Sequence, residues 1–245
     1  MAIHDYRTAL VTGASAGIGR EAVRALRDAG LSVIAVARRA ARLEALADET
    51  GATPLVLDLC DTDALYDALA PLEVDVLVNN AGLGRGMASF VDAERGDIDL
   101  TIETNVTAFL HTLRAVLPGM RERKRGHVVG IGSVAGLYPL QSPIYGGSKG
   151  AVRLASQNLR LDLAGTGIRV TEICPGRVVT EFVAGAAGEE AARKTYGSFD
   201  ELQPEDIAEA ILYAVSAPWR VNVSTIEIVP TEQAFGGLRF TRVDR

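Results

Sequence analysis

The stretch TALVTGASAGIGREAVRALRDAG, residues 8–30, decides the fold. Its opening, TALVTG, is mostly apolar or β-branched and predicts a strand over 8–13. The apolar spacing that follows predicts a helix stopped by Gly30. Glycines stand at 13, 17 and 19 in the turn between them. A strand that passes through such a turn straight into a helix is the first half of a parallel crossover, because the chain must climb over the sheet to add another strand in the same direction.

The same alternation runs to the end of the chain. Further strands are predicted for SVIAVAR (32–38), TPLVLDL (53–59), VDVLVNN (74–80), GHVVGIGS (126–133), IRVTEICPG (168–176) and NVSTIEIVP (222–230). AARLEALADET, stopped by Gly51, and TDALYDALA are helices between them. Seven nearly continuous apolar strands with helical crossovers predict an α/β protein, a doubly wound seven-stranded parallel sheet with helices on both faces. A length of 245 residues permits one large domain or two small ones, and no composition shift, linker or repeat marks a boundary. The expectation is a single domain, 1–245. Two long connections, 82–97 and 176–203, follow strand ends, the edge at which parallel sheets bind ligands. The second is long and rich in small residues, as binding loops and lids are; a tail covers 230–245.

Composition excludes several classes. A net charge of −6 lacks the basic face that nucleic acid requires, and the basic run RERKRGH (121–127) fits a solvated turn. Cys60 and Cys174 have no paired spacing and no neighbouring histidine, which predicts buried reduced thiols and no metal site. No charged leader precedes an apolar run and no apolar run reaches bilayer length, so a soluble cytoplasmic protein without membrane contact is expected.

The glycine turn carries the first chemistry. Gly13 permits the tight turn, Gly17 lets a pyrophosphate approach the backbone, and Gly19 allows the helix to pack closely on the sheet. The free N–H groups of the helix then face the phosphates. At the end of the second strand a free ribose 2′-hydroxyl calls for a carboxylate, whereas a 2′-phosphate calls for arginine. Here Ala37 fills the acidic slot and Arg38 and Arg39 follow, which predicts NADP(H).

SPIYGGSKGAV (142–152) carries the second. Tyr145 and Lys149 fall one turn apart on a helix face, with only glycines and a serine between them. A nearby ammonium favours phenolate, and bringing a phenol from about 10 to about 7 takes roughly 4 kcal/mol. Ser133 ends a strand on the same edge, where its hydroxyl reaches a substrate carbonyl oxygen. Asn105 falls mid-helix, where its amide needs a partner such as helix backbone or a water chain.

In the order TGASAGIG, Asp58, NNAG (79–82), Asn105, Ser133, YGGSK and PGRVVT (175–180), the chain resembles the short-chain dehydrogenase/reductase family over essentially its whole length. The resemblance implies a single-domain Rossmann fold with Tyr145 as general acid in carbonyl reduction and base in alcohol oxidation. By the same resemblance Lys149 lowers the Tyr145 pKa and holds the nicotinamide ribose, Ser133 orients the carbonyl, and Asn105 anchors a water relay. It places Asp58 at the adenine, Asn80 at the adenosine-side ribose and Thr180 at the carboxamide. Gly13, Ser15, Gly17, Ile18, Gly19, Gly82, Pro175 and Gly176 complete the implied cofactor site. A homotetramer or homodimer, joined through the helices of Asn105 and Tyr145, is also implied. The step from Ser133 to Tyr145 is one residue shorter than the family's common spacing, so LYPLQSP (137–143) must turn more tightly.

NNAGLGRGM, AVLPGM, GSVAGLYP and IEIVPTEQAFGG are similar to a narrower group, the NADP-dependent 3-hydroxy acid dehydrogenases that oxidise serine and related acids. An acid substrate needs a cation, and Arg177 and Arg85 are the candidates, with Arg193 and Lys194 behind them. A solvated loop charge is the plainer role for each. His111 and His127 have no place beside Tyr145 and are expected to be structural. The rival expectations are a reductase of bulkier neutral ketones or 3-oxoacyl thioesters, and a cofactor-binding regulator without catalysis. The complete Asn–Ser–Tyr–Lys set speaks against the latter.

Overall fold

The computed structural model describes residues 2–242 apart from Ala88, Gln141, Ser198, Phe235, Gly237 and Leu238. Its elements are β1 (Thr8–Thr12), α1 (Gly17–Asp28), β2 (Ser32–Ala37), α2 (Ala40–Thr50), β3 (Thr53–Val56), α3 (Thr62–Leu69), β4 (Val76–Asn79) and α4 (Arg95–Ile102). They continue with α5 (Ala108–Glu122), β5 (Gly126–Ile131), α6 (Pro143–Asp162), β6 (Ile168–Pro175), α7 (Phe182–Ala187), α8 (Glu189–Thr195), α9 (Pro204–Ser216) and β7 (Thr225–Ile228).

The strands pair in the order β3-β2-β1-β4-β5-β6-β7, every pairing parallel. Successive strand residues point to opposite faces, so each strand feeds two cores. Ala9 and Val11 of β1, Val76 and Val78 of β4, and Val129 and Ile131 of β5 pack with Val23 and Leu26 of α1 and Ile207 and Ile211 of α9. On the other face Leu10, Leu77 and Val128 meet Leu65 and Leu69 of α3, Phe109 and Leu113 of α5, and Val152 of α6. This two-sided burial is why the strands read as unbroken apolar runs.

The strands are shorter than their apolar runs at the carboxyl ends. β1 stops before Gly13, β4 before Asn80 and β5 before Gly132, where the chain leaves the sheet for the connecting segments. The chain order reverses between β1 and β4, which opens the crevice where doubly wound sheets bind ligands. The long connection 176–203 is not wholly irregular: it holds α7 and α8. Asn105 lies not in an ordinary helix but in a π turn, Glu103–Thr107, between α4 and α5. Among the described residues no helix is long and apolar enough to cross a membrane.

Candidate active site

Gly13 and Gly17 take positive φ of 67° and 51°, values that favour glycine. A Cβ on Gly13 would lie 2.8 Å from Asn80 Nδ2, and one on Gly19 would meet the Gly13 carbonyl oxygen. These contacts explain why positions 13 and 19 admit no side chain. Asn80 Nδ2 donates to the Thr12 carbonyl at 2.9 Å, so this residue ties the end of β4 to the turn. Ile18 packs partly buried against the core. Ala16, at the N-cap of α1, has no polar side chain to occupy the first helical amides. Those amides therefore remain available to an anion.

Arginines gather beside this turn. Arg39 Nε donates to Ser15 Oγ at 2.9 Å, and Arg38 lies 3.6 Å from Asp58. Arg39 Nη1 also reaches Glu181 Oε2 at 2.7 Å, and Arg42 Nη1 reaches the two Glu181 oxygens at 2.6 and 2.8 Å. A cavity of about 260 Å³ opens here, lined in part by Ser15, Arg20, Arg42 and Glu181. The Arg39 hydrogen bond, opposed by partial burial and reinforced by Arg42, holds the Glu181 carboxyl below its usual range. Arg42 and Glu181 were not singled out from the sequence. The signals available were a third arginine one turn beyond Arg38 and an acid directly after Thr180.

The catalytic candidates converge at the ends of β4 and β5. Ser133 caps a 3₁₀ turn, Val134–Gly136, its Oγ accepting from the Ala135 N–H at 3.1 Å. A Cβ on Gly136 would lie 2.6 Å from the Lys149 carbonyl oxygen, so a glycine there lets the turn press onto α6. Tyr145 and Lys149 share a face of α6, Lys149 Nζ standing 5.9 Å from the Tyr145 ring centroid. The Ser133 hydroxyl stands near enough to the Tyr145 phenol to favour its charged form. The Phe182 ring, at the start of α7, lies 5.2 Å from that of Tyr145.

Burial pushes the Tyr145 phenol up to about 12, with the Ser133 hydroxyl pulling it back only in part. Burial likewise lowers the Lys149 ammonium to about 8. This differs from the expectation that Lys149 draws the phenol downward. The reason is that both charged forms are desolvated and Lys149 Nζ donates to the Ile131 carbonyl at 2.8 Å.

Asn105 is 1% exposed and fully engaged as a donor. Its Oδ1 accepts from the Leu83 N–H at 2.8 Å, and its Nδ2 donates to the Leu83 carbonyl at 2.8 Å and to Ser148 Oγ at 3.0 Å. The partners lie on the loop after β4 and on α6, not on its own helix. π turns of this kind recur at functional sites because they re-aim one side chain. A Cβ on Gly82 would lie 3.2 Å from Asn105 Oδ1 and 3.6 Å from Lys149 Nζ, which places that glycine at the floor of the site.

The carboxylate-binding candidates are less well placed. Arg177 stacks on Phe240 of the tail, 4.2 Å from the ring centroid, and donates to the Thr195 carbonyl at 3.4 Å. Arg85 is exposed in the loop after β4, Arg193 is exposed on α8, and Lys194 pairs with Glu190 at 2.6 Å. Pro175 ends β6, and the Gly176 N–H donates to Ile228 O at 2.8 Å. Thr180 lies against Gly17, with Cγ2 3.0 Å from where a Cβ would stand, so the long connection 176–203 begins over the glycine turn. His111 bonds Tyr66 at 3.2 Å and His127 bonds Thr171 at 2.8 Å, both away from Tyr145. Cys174 is buried, whereas Cys60 is only partly so. Among the described residues no cluster suited to a metal occurs.

The chain matches the short chain dehydrogenase family model over residues 7–191, and it belongs to that family. Among individual relatives it is 44% identical over 244 residues to the NADP-dependent 3-hydroxy acid dehydrogenase YdfG of Salmonella typhi, covering 95% of this chain and 98% of the relative. It is 43% identical to an uncharacterized short-chain type dehydrogenase/reductase, y4eK, of Sinorhizobium fredii, with 99% of each covered. Among solved structures, the closed form of serine dehydrogenase complexed with NADP+ superposes with a TM-score of 0.90 at 42% identity, covering 96% of this chain and all of that one.

Proposed function

We propose that the protein is an NADP(H)-dependent oxidoreductase that interconverts a small 3-hydroxy acid and its semialdehyde, or a related alcohol and aldehyde. The observation that carries this is the convergence of Ser133, Tyr145 and Lys149 beside a glycine turn flanked by Arg38 and Arg39. The residues fit a phosphorylated dinucleotide: uncapped α1 amides stand ready for the pyrophosphate, and the arginines with Ser15 stand ready for the 2′-phosphate. Ser15, Arg38 and Arg39 would hold the adenosine end and Asp58 the adenine side. Gly82, Pro175, Gly176 and Thr180 would line the nicotinamide side.

Bound NADPH supplies hydride to the substrate carbon. Tyr145, kept protonated by burial, donates its phenolic proton to the substrate oxygen. Ser133 orients that oxygen by hydrogen bonding. Lys149 places positive charge beside the phenol as it loses its proton. Asn105 holds the loop after β4 against α6 and thereby fixes Gly82 beside Lys149. Exposed Leu110 on α5 and Leu154 and Leu161 on α6 support assembly through those helices into a homotetramer or homodimer. A cytoplasmic setting agrees with the balance of charge and the free thiols.

A second reading, reduction of a neutral carbonyl, is favoured by the Phe182 ring beside Tyr145 and by the stacking of Arg177 on Phe240. Initial rates of NADPH oxidation with malonic semialdehyde and a neutral aldehyde of similar size separate the two. A strong preference for the acid supports the first reading, and equal rates or a neutral preference support the second.

A further inference from the structure

The contacts of Glu181 join two parts of the molecule that have separate roles in the reaction. The residue lies between Thr180, over the glycine turn, and Phe182, against the Tyr145 ring. Its carboxylate, however, is held by Arg39 and Arg42, which are 142 and 139 residues away in sequence. Arg39 is fixed in turn by Ser15. The start of the substrate loop is thus fastened at two points, at the catalytic tyrosine through Phe182 and at the arginine cluster through Glu181.

We propose that Glu181 is a positioning residue that clasps the substrate loop shut in response to the cofactor's 2′-phosphate. The proposal rests on the NADP(H) reading above. Arg39 uses Nε for Ser15 and Nη1 for Glu181, and Arg42 makes both of its recorded Glu181 contacts through Nη1, so each guanidinium keeps donors for a second anion. Exposed arginine–carboxylate pairs are weak mainly because they must immobilise long side chains. A phosphate bound to the same arginines immobilises them first, which makes docking of Glu181 more favourable. The 2′-phosphate, far from the reacting carbon, then helps to bring Phe182 onto Tyr145. The discrimination between NADPH and NADH consequently lies partly in loop closure and not only in affinity.

The test uses 2′,5′-ADP and 5′-AMP, which carry or lack the phosphate and have no nicotinamide. Binding is measured by calorimetry, and amide hydrogen exchange is followed across 177–195, in the wild type and in Glu181→Gln. The expected result is that 2′,5′-ADP slows exchange in that segment of the wild type roughly three- to tenfold, whereas 5′-AMP does not. Glu181→Gln should bind 2′,5′-ADP within about threefold of the wild type yet show no such protection. Equal protection in the variant, or faster exchange in the wild type on adding 2′,5′-ADP, overturns the clasp; the latter would mean that phosphate and carboxylate compete. A wild type that binds 2′,5′-ADP no better than 5′-AMP overturns the cofactor reading and the clasp with it.

Discussion

Replacing Asn105 by alanine tests whether one buried amide holds the active-site wall. The substitution removes three hydrogen bonds, two to the Leu83 backbone and one to Ser148. A neutral hydrogen bond contributes about 1 kcal/mol net, and a buried group left unpaired costs about 1–3 kcal/mol. Leu83 is only partly buried, so water can serve one of its groups, and a total of about 2–4 kcal/mol follows. For a chain of this size each kcal/mol shifts Tm by roughly 2–4 °C, which gives a fall of about 4–16 °C. Calorimetry reads the fall, and amide exchange at Leu83 reports whether the loop after β4 has come loose. Activity should drop further than stability at working temperature, because Gly82 loses its fixed place beside Lys149. A Tm within about 1 °C of wild type, with Leu83 still protected, would refute the assignment.

Two further outcomes follow from the charges. Arg38→Ala should raise KM for NADPH by roughly tenfold while leaving KM for NADH within about twofold, since only the former offers a 2′-phosphate; steady-state kinetics with both cofactors would expose an equal effect, which would sink that role. Lys149 loses its proton near 8, and in the proposed mechanism its charge supports proton release from Tyr145. Reductive kcat/KM should therefore be level near neutrality and fall as pH rises above about 8, whereas a profile flat through roughly pH 10 would contradict the role of Lys149.

The sheet was legible because strands covered on both faces leave an unambiguous mark, as Leu10 and Val11 show by entering opposite cores. The glycine turn was legible because backbone geometry at Gly13 and close packing at Gly19 tolerate little else. What escaped notice depends on contacts without periodicity. The π turn around Asn105 has no signature of its own, and the residue's partners lie 22 and 43 positions away. Glu181 meets the start of α2 only because the fold brings the segment after β6 over the glycine turn. Arg177 looked free beside the site until the tail supplied Phe240 as its stacking partner. The upward push on the Tyr145 phenol was not legible for a related reason, since spacing places Lys149 on the right face but says nothing about how much water either group retains.

The most direct measurement compares wild type with Tyr145→Phe in NADPH oxidation by malonic semialdehyde, alongside NADPH binding followed by fluorescence. Loss of one phenolic proton should lower kcat by roughly 10²- to 10⁴-fold while Kd stays within about twofold. Turnover that survives the substitution, with the fold and NADPH binding intact, would contradict the assignment of Tyr145 as the acid.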